Sequence, residues 1–304
     1  MAIFGQPYLI FTPDVWAPYI DRLFREKLVA AKFFSNYSDY VTEGGRSIVI
    51  PSDENFTAQA VKTTNGEIDG GGITDTGTRL DINLWYATHR MFADFQKAQV
   101  ASNYRIKEVF AEGMAHALAK SLDTSLLALL TATYPSRVVN ASTAGIKSSD
   151  LESAIGIIES YNIPREECAF FFTPLAYFTE VLAVQKLYDA SQFGKASLIT
   201  GTHDQIYGIP VYVTTLLPTT VLAEIAPTTT GRGHRCALMH KRAIGYALGN
   251  LPMEGNAVSL PSGVRMQEKS GENLRTVTVA DIMYGVKTIG GSYRGVRLIC
   301  KVNH

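Results

Sequence analysis

The stretch SNYRIKEVFAEGMAHALAKSLDTSLLALLTATY, residues 102–134, decides how the rest of this chain of 304 residues is organised. Ile106, Val109, Phe110, Met114, Ala117, Leu118, Leu122, Leu126, Leu129 and Leu130 recur at spacings of three and four, the period of one helix face. About thirty residues rising 1.5 Å each predict a rod of roughly 45 Å, longer than the usual globular helix. Pro135 ends it, because proline cannot continue the helical hydrogen-bond ladder.

Upstream of the rod, Pro7, Pro13 and Pro18 oppose a continuous helix, so the chain is expected to start as an extended arm. A helical stretch, YIDRLFREKLVAAKFF, follows it. VTEGGRSIVIP then predicts a short strand ending at Pro51. From 52 to 80 the character changes to Thr, Gly and Asp with few large apolar side chains. The alternation Phe56, Ala58, Ala60 and the turn pair Asn65-Gly66 predict a hairpin over about 53–77. Such a hairpin has no core of its own and needs another surface to lie on. LDINLWYATHRMFADF resumes as a strand before the rod.

Downstream, the pattern alternates helix and strand. Ser149 and Glu152 suggest a capping box ahead of LESAIGIIESY. AFFFT is a short buried strand, and Pro174 fits the first position of the helix predicted over TPLAYFTEVLAVQKLY. CALMH is expected as a strand and KRAIGYAL as a small-residue helix or turn. The remaining segments VRMQEKS, LRTVTVADIMYGVKT and GVRLICKV alternate as strands.

Composition narrows the function. Charged residues make up 18%, against about 25% in an ordinary soluble domain, which hints that other protein covers part of the surface. Lys and Arg balance Asp and Glu at 28 each without a basic run, so tight sequence-specific nucleic-acid binding is not expected. Cys168, Cys236 and Cys300 are widely spaced and odd in number, which predicts free buried thiols and synthesis in a reducing cytoplasm. No stretch approaches the roughly 20 apolar residues of a membrane span, and the N-terminal residues do not have a signal-peptide pattern.

Two patterns merit a chemical reading. His234, Cys236 and His240 are spaced evenly enough to share one face of a strand and resemble zinc ligands, but a fourth ligand is missing; the plainer reading is a core strand with a buried thiol. Gly70, Gly71 and Gly72 follow Asp69, yet no Gly-Lys-Ser/Thr follows them, so they are read as glycines that let the hairpin approach another backbone. No G-x-S-x-G, HExxH or spaced acid pair is present, so neither an enzyme nor a cofactor is expected.

The order of pieces resembles the major capsid proteins of tailed bacteriophages, the Hong Kong-type phage capsid fold. NIPREECAFFFTPLAYFTEVL resembles that family's helix, strand and P-x-x-Y helix, and GTHDQIYGIPVYVTTLLP its G-x-P-V stretch. CALMHKRAIGYAL resembles the strand ending in His-Lys-x-Ala, here His240, Lys241 and Ala243. YGVKTIGGSYRGVRLI resembles the C-terminal strands. The resemblance implies an α+β fold with an N-terminal arm and helix over 1–35 and peripheral strands with an extended hairpin loop over 36–84. It implies a peripheral domain with a long spine helix over 85–143, a compact axial domain over 144–247, and strands returning to the peripheral domain over 248–304.

The implied function is a subunit that self-assembles, through hexameric and pentameric capsomers, into the icosahedral shell around the phage's double-stranded DNA. The virion is its implied location. Partners would be other copies of the chain, a separate scaffolding protein, a portal protein at one vertex, a decoration or cement protein, and packaged DNA by non-specific contact; no membrane is involved. The hairpin residues Phe56, Lys62, Asn65, Gly66, Gly70, Gly71 and Gly72 would form the subunit interface. Some family members join a loop lysine to a neighbour's asparagine; Lys62 with Asn273 or Asn303 would be the pair here, although an exposed lysine needs no such explanation. The alternatives are an encapsulin-type shell around protein cargo and a cytosolic α+β enzyme.

Overall fold

A computed structural model describes residues 28–41, 45–51, 77–93, 106–132, 138–141, 145–184, 205–221, 232–251, 258–259, 263–271, 275–290 and 293–301. Helix α1 (Ala30–Phe33) leads into β1 (Ser35–Asn36), the pair β2 (Ser47–Pro51) and β3 (Gly77–Asp81), and the long strand β4 (Leu84–Ala93). Helix α2 (Ile106–Ala132) has 27 residues and so spans about 40 Å. Then come β5 (Val138–Ala141), α3 (Ser148–Glu159), β6 (Cys168–Phe172), β7 (Gln205–Ile206), β8 (Ile209–Val213) and β9 (Thr219–Val221). Strands β10 (Arg232–His240), β11 (Ile244–Leu248), β12 (Val258–Ser259), β13 (Arg265–Gly271), β14 (Arg275–Thr288) and β15 (Gly295–Lys301) complete the order.

The strands form two large sheets. One runs β5-β15-β10-β6-β8-β7 with β9 also on β10; the other runs β1-β11-β14-β13-β12 with β4 also along β14. In the first, β6 alternates cleanly between two cores. Cys168, Phe170 and Phe172 face α3, where Leu151, Ala154, Ile155 and Ile158 cover them. Ala169 and Phe171 face the opposite way, toward α1 and α2. A strand buried on both faces reads as an unbroken apolar run, and CAFFF is one. Helix α2 lies between the sheets, because the core that holds Phe171 and Met239 of the first also holds Ile282 and Tyr284 of the second.

The apolar stripe of α2 is largely the expected one. Met114, Leu118, Leu122, Leu126 and Leu130 are buried and Leu129 packs against the same core. Ala117 is instead exposed, and Leu127 is fully buried in its place. The side chains of Ile106, Val109 and Phe110 lie outside the described residues. Asp123, inside the stripe, is buried at 1% exposure. Its Oδ2 accepts from the Val29 and Ala30 N–H groups at 2.7 and 3.0 Å, and its Oδ1 from Ala31 N–H at 3.0 Å. A carboxylate from α2 thus caps the first turn of α1, satisfying amides that a short helix leaves without internal partners.

Three local expectations are corrected. Helix α3 starts at Ser148, with Lys147 as its N-cap, so Ser149 is not the cap. The reciprocal contact comes from Asp150, whose Oδ2 accepts from Lys147 N–H at 2.9 Å, and Glu152 instead accepts from the Tyr207 hydroxyl at 3.0 Å. After Pro174, which does occupy the first helical turn, the predicted long helix is a short turn over Pro174–Ala176 continued by a π-turn over Tyr177–Val181. KRAIGYAL is a 3-10 turn over Lys241–Ala243 followed by strand β11. Its small residues serve close packing: a side chain at Gly245 would collide with Ile289 and with Tyr37. The last strands divide between the two sheets. β11 pairs with β14, whereas the last strand, β15, sits between β5 and β10 in the other sheet. Val296, Leu298, Ile299 and Cys300 are all buried, a two-faced burial that suits an interior strand.

Candidate assembly surface

Strands β2 and β3 are antiparallel, with Ser47 opposite Asp81 and Pro51 opposite Gly77. The segment between them, 52–76, over which the hairpin loop is expected, lies outside the described residues, and with it lie Phe56, Lys62, Asn65, Gly66, Gly70, Gly71 and Gly72. Asn273 and Asn303 are outside as well. The β2–β3 stem has a dry face and an open one. Leu80 and Ile82 are buried with Ala247, and Ile48, Ile50 and Met283 pack on them. Val49 points away and is 64% exposed.

Beside the stem, β4 pairs with β14 through ten residues, from Leu84 opposite Tyr284 to Ala93 opposite Arg275. Leu84 joins the core around α2, so residues two apart from it share that side and the intervening ones face outward. Trp85 and Met91 are on the outward side, 65% and 54% exposed. Trp85 is not loose: its indole N–H donates to Asp281 Oδ2 at 3.1 Å. Asp281, only 3% exposed, also accepts from Arg265, whose Nε donates to Oδ1 at 2.9 Å and whose Nη2 donates to Oδ2. The charge-assisted fork holds the buried carboxylate, and the carboxylate in turn holds the indole. A groove between the stem and β4 is lined by Arg46, Ile82, Trp85 and Met283 among others.

Of the suspected metal ligands, the side chains of Cys236 and His240 are described. Among the described residues no group of three His, Cys, Asp or Glu side chains is placed to hold a metal ion. His240 Nε2 lies 3.0 Å from Glu167 Oε2 and its Nδ1 accepts from Arg242 N–H at 3.1 Å, so both ring nitrogens are engaged. The side chain of His234 lies outside the described residues. Cys168, Cys236 and Cys300 are free and buried, as expected. Burial, reinforced by Glu167, Glu166 and Glu159, pushes the Cys168 thiol up to about 12, and a hydrogen bond with Cys236 followed by burial raises that of Cys300. Thiols so held are poor nucleophiles.

Other perturbed groups have structural causes. The Glu180 carboxyl is raised by burial, against the lowering effect of the Ile146 amide, and Tyr207 is pushed up to about 12 by burial and its bond to Glu152. None of these groups lines the groove beside Trp85. No helix among the described residues is long and apolar enough to cross a membrane. Sequence reasoning missed Trp85, Asp281 and Asp123. A carboxylate within the apolar stripe of α2 was the available signal for the last; Trp85 and Asp281 stand in strands whose partners no spacing rule identifies.

With two sheets sharing one long helix and a separate hairpin stem, the chain has the α+β fold of phage capsid structures. It matches the capsid structure of cyanophage P-SCSP1u with a TM-score of 0.74 at 15% identity, over 97% of this chain and 94% of that one. It matches a structure of Mycobacterium phage Che8 with a TM-score of 0.70 at 17% identity, over 95% and 97% of the two chains. The holo-SrpI encapsulin complex of Synechococcus elongatus matches less well, with a TM-score of 0.54 at 12% identity over 90% and 88%. No protein-family model and no curated protein matches the sequence.

Proposed function

We propose that the chain is a major capsid subunit that assembles with copies of itself into the icosahedral head shell around a phage genome of double-stranded DNA. The observation that carries this reading is the agreement of fold along nearly the whole chain with phage capsid structures, at coverage of 94% or more in both directions for the cyanophage P-SCSP1u capsid. In this reading α2 is the spine helix of a peripheral domain, and the sheet built on β6, β10 and β15 belongs to an axial domain. The hairpin beyond the β2–β3 stem reaches across a neighbouring subunit. Scaffolding, portal and decoration proteins and packaged DNA are the further partners, and the virion is the location.

The weaker agreement with an encapsulin favours a genome container over a protein-cargo container. Purified protein examined by electron microscopy and sedimentation tests the proposal. Capsomers or closed shells are expected, with nucleic acid inside particles recovered from infected cells. A monodisperse monomer at micromolar concentration that never closes with scaffold or crowding agent would overturn it, and protein cargo in place of nucleic acid would select the encapsulin reading.

A further inference from the structure

Both crossings of the chain between β10 and β11, and between β14 and β15, pass the same point. The first is the turn Lys241–Ala243 and the second runs from Ile289 toward Gly295. They are tied to each other: Ile289 N–H donates to Ala243 O at 2.9 Å, His240 N–H to Arg294 O at 3.1 Å, and Arg294 Nη1 to Arg242 O at 3.0 Å. At the centre is His240, 7% exposed, the last residue of a strand in one sheet and three residues before the core residue Ala243 that precedes the other.

The imidazole links the two sides by opposite chemistry at its two nitrogens. Nε2 donates to the Glu167 carboxylate, and Nδ1 accepts from Arg242 N–H, capping the turn. A proton at Nδ1 would set one donor against another and remove that cap. We propose that His240 is a proton-sensitive pin at the junction of the two sheets, closed when neutral and released in acid, so that acidification loosens the turn Lys241–Ala243 where the chain crosses between them.

The groups facing the imidazole do not all favour the same state. Glu167 favours the cation, while Arg294 and Arg242 oppose it; Cys168, opposite His240 across β6 and β10, carries a raised thiol and remains neutral, and Lys241 adjoins on the exposed side of the turn. Burial outweighs Glu167, so the imidazole titrates below its ordinary value. The stability it lends is therefore complete above the ordinary histidine range and is lost as pH falls through the lowered value.

The argument concerns the fold and does not depend on what the chain assembles into. Hydrogen–deuterium exchange of the full-length protein, followed by mass spectrometry and corrected for intrinsic rates, reads the cap directly at the Arg242 amide. As pH is lowered from above the ordinary histidine range through the lowered value of His240, protection at Arg242 and Ala243 is expected to fall roughly tenfold, while the centre of β6 is unchanged. In His240→Gln, whose amide does not titrate, the pH dependence is expected to vanish. Flat protection in the wild-type protein across that range overturns the proposal even if the variant does not fold, and so does an unaltered pH dependence in a folded variant.

Discussion

Asp123 is the one acidic side chain that α2 commits to the core among its described side chains, and its position explains why. It receives three backbone N–H groups from the entry to α1, so its charge is met by hydrogen bonds. Tyr246 closes the same corner, its hydroxyl donating to Ala31 O at 2.9 Å, and burial together with the nearby Asp123 charge raises its pKa. Asp123→Ala leaves those amides buried without acceptors and is expected to cost about 2–4 kcal/mol. A lower urea midpoint with an unchanged slope would register it; a loss under about 0.5 kcal/mol would mean that water replaces the carboxylate. At this scale the sequence was only partly legible. The buried thiols followed from spacing and composition, because cysteine is inert wherever it is packed. Asp123, Trp85 and Asp281 did not, because each gains its role from a partner about ninety to two hundred residues away.

The elements were more readable where burial follows a simple period. AFFFT announced β6, one residue out of register with Cys168–Phe172, because both faces of the strand are dry, and the stripe of α2 announced itself at three- and four-residue steps. Reading failed where tertiary packing selects residue size. Gly245 and Ala247 look like a helix or turn, yet they are small because Tyr37, Ile289 and the stem core press on strand β11. Gly285 tells the same story on β14. A side chain there would collide with the backbone carbonyl of Asp81 and come within 3.0 Å of the Ile82 Cα, so the close approach of the hairpin stem to the sheet requires glycine. Gly285→Ala must push the stem off β14 and is expected to destabilise the chain by about 1–3 kcal/mol. Thermal unfolding measures the loss, and increased exchange confined to β2 and β3 would locate it. If β11 and β13 loosen equally, the damage is to the sheet and not to the stem.

For the whole molecule, the shortage of charge and the exposed Trp85, Met91 and Val49 fit the proposal that other copies of the chain complete its surface. Residues 47–51 and 77–93 supply both the stem and the outward face of β4; the groove at Trp85 lies at the Arg46 and Ile82 end of the stem, and the intervening segment leaves from Pro51 and Gly77 at the other end. The sequence between the stem strands holds few large apolar side chains, and ordering it costs roughly 1–2 kcal/mol per residue. Contacts within its own subunit offer little to offset that cost, which is the physical ground for proposing that a neighbour provides the rest. Replacing residues 57–76 with a short Gly/Ser linker is expected to leave the stem, α2 and both sheets folded, since the stem core of Leu80, Ile82 and Ala247 lies outside the replaced segment. Circular dichroism and the unfolding midpoint should match the parent chain, while electron microscopy should find small capsomers and no closed shells. Normal shells of unchanged stability would show that the hairpin is not a clamp between subunits. A chain that fails to fold would show that the segment belongs to its own subunit's core.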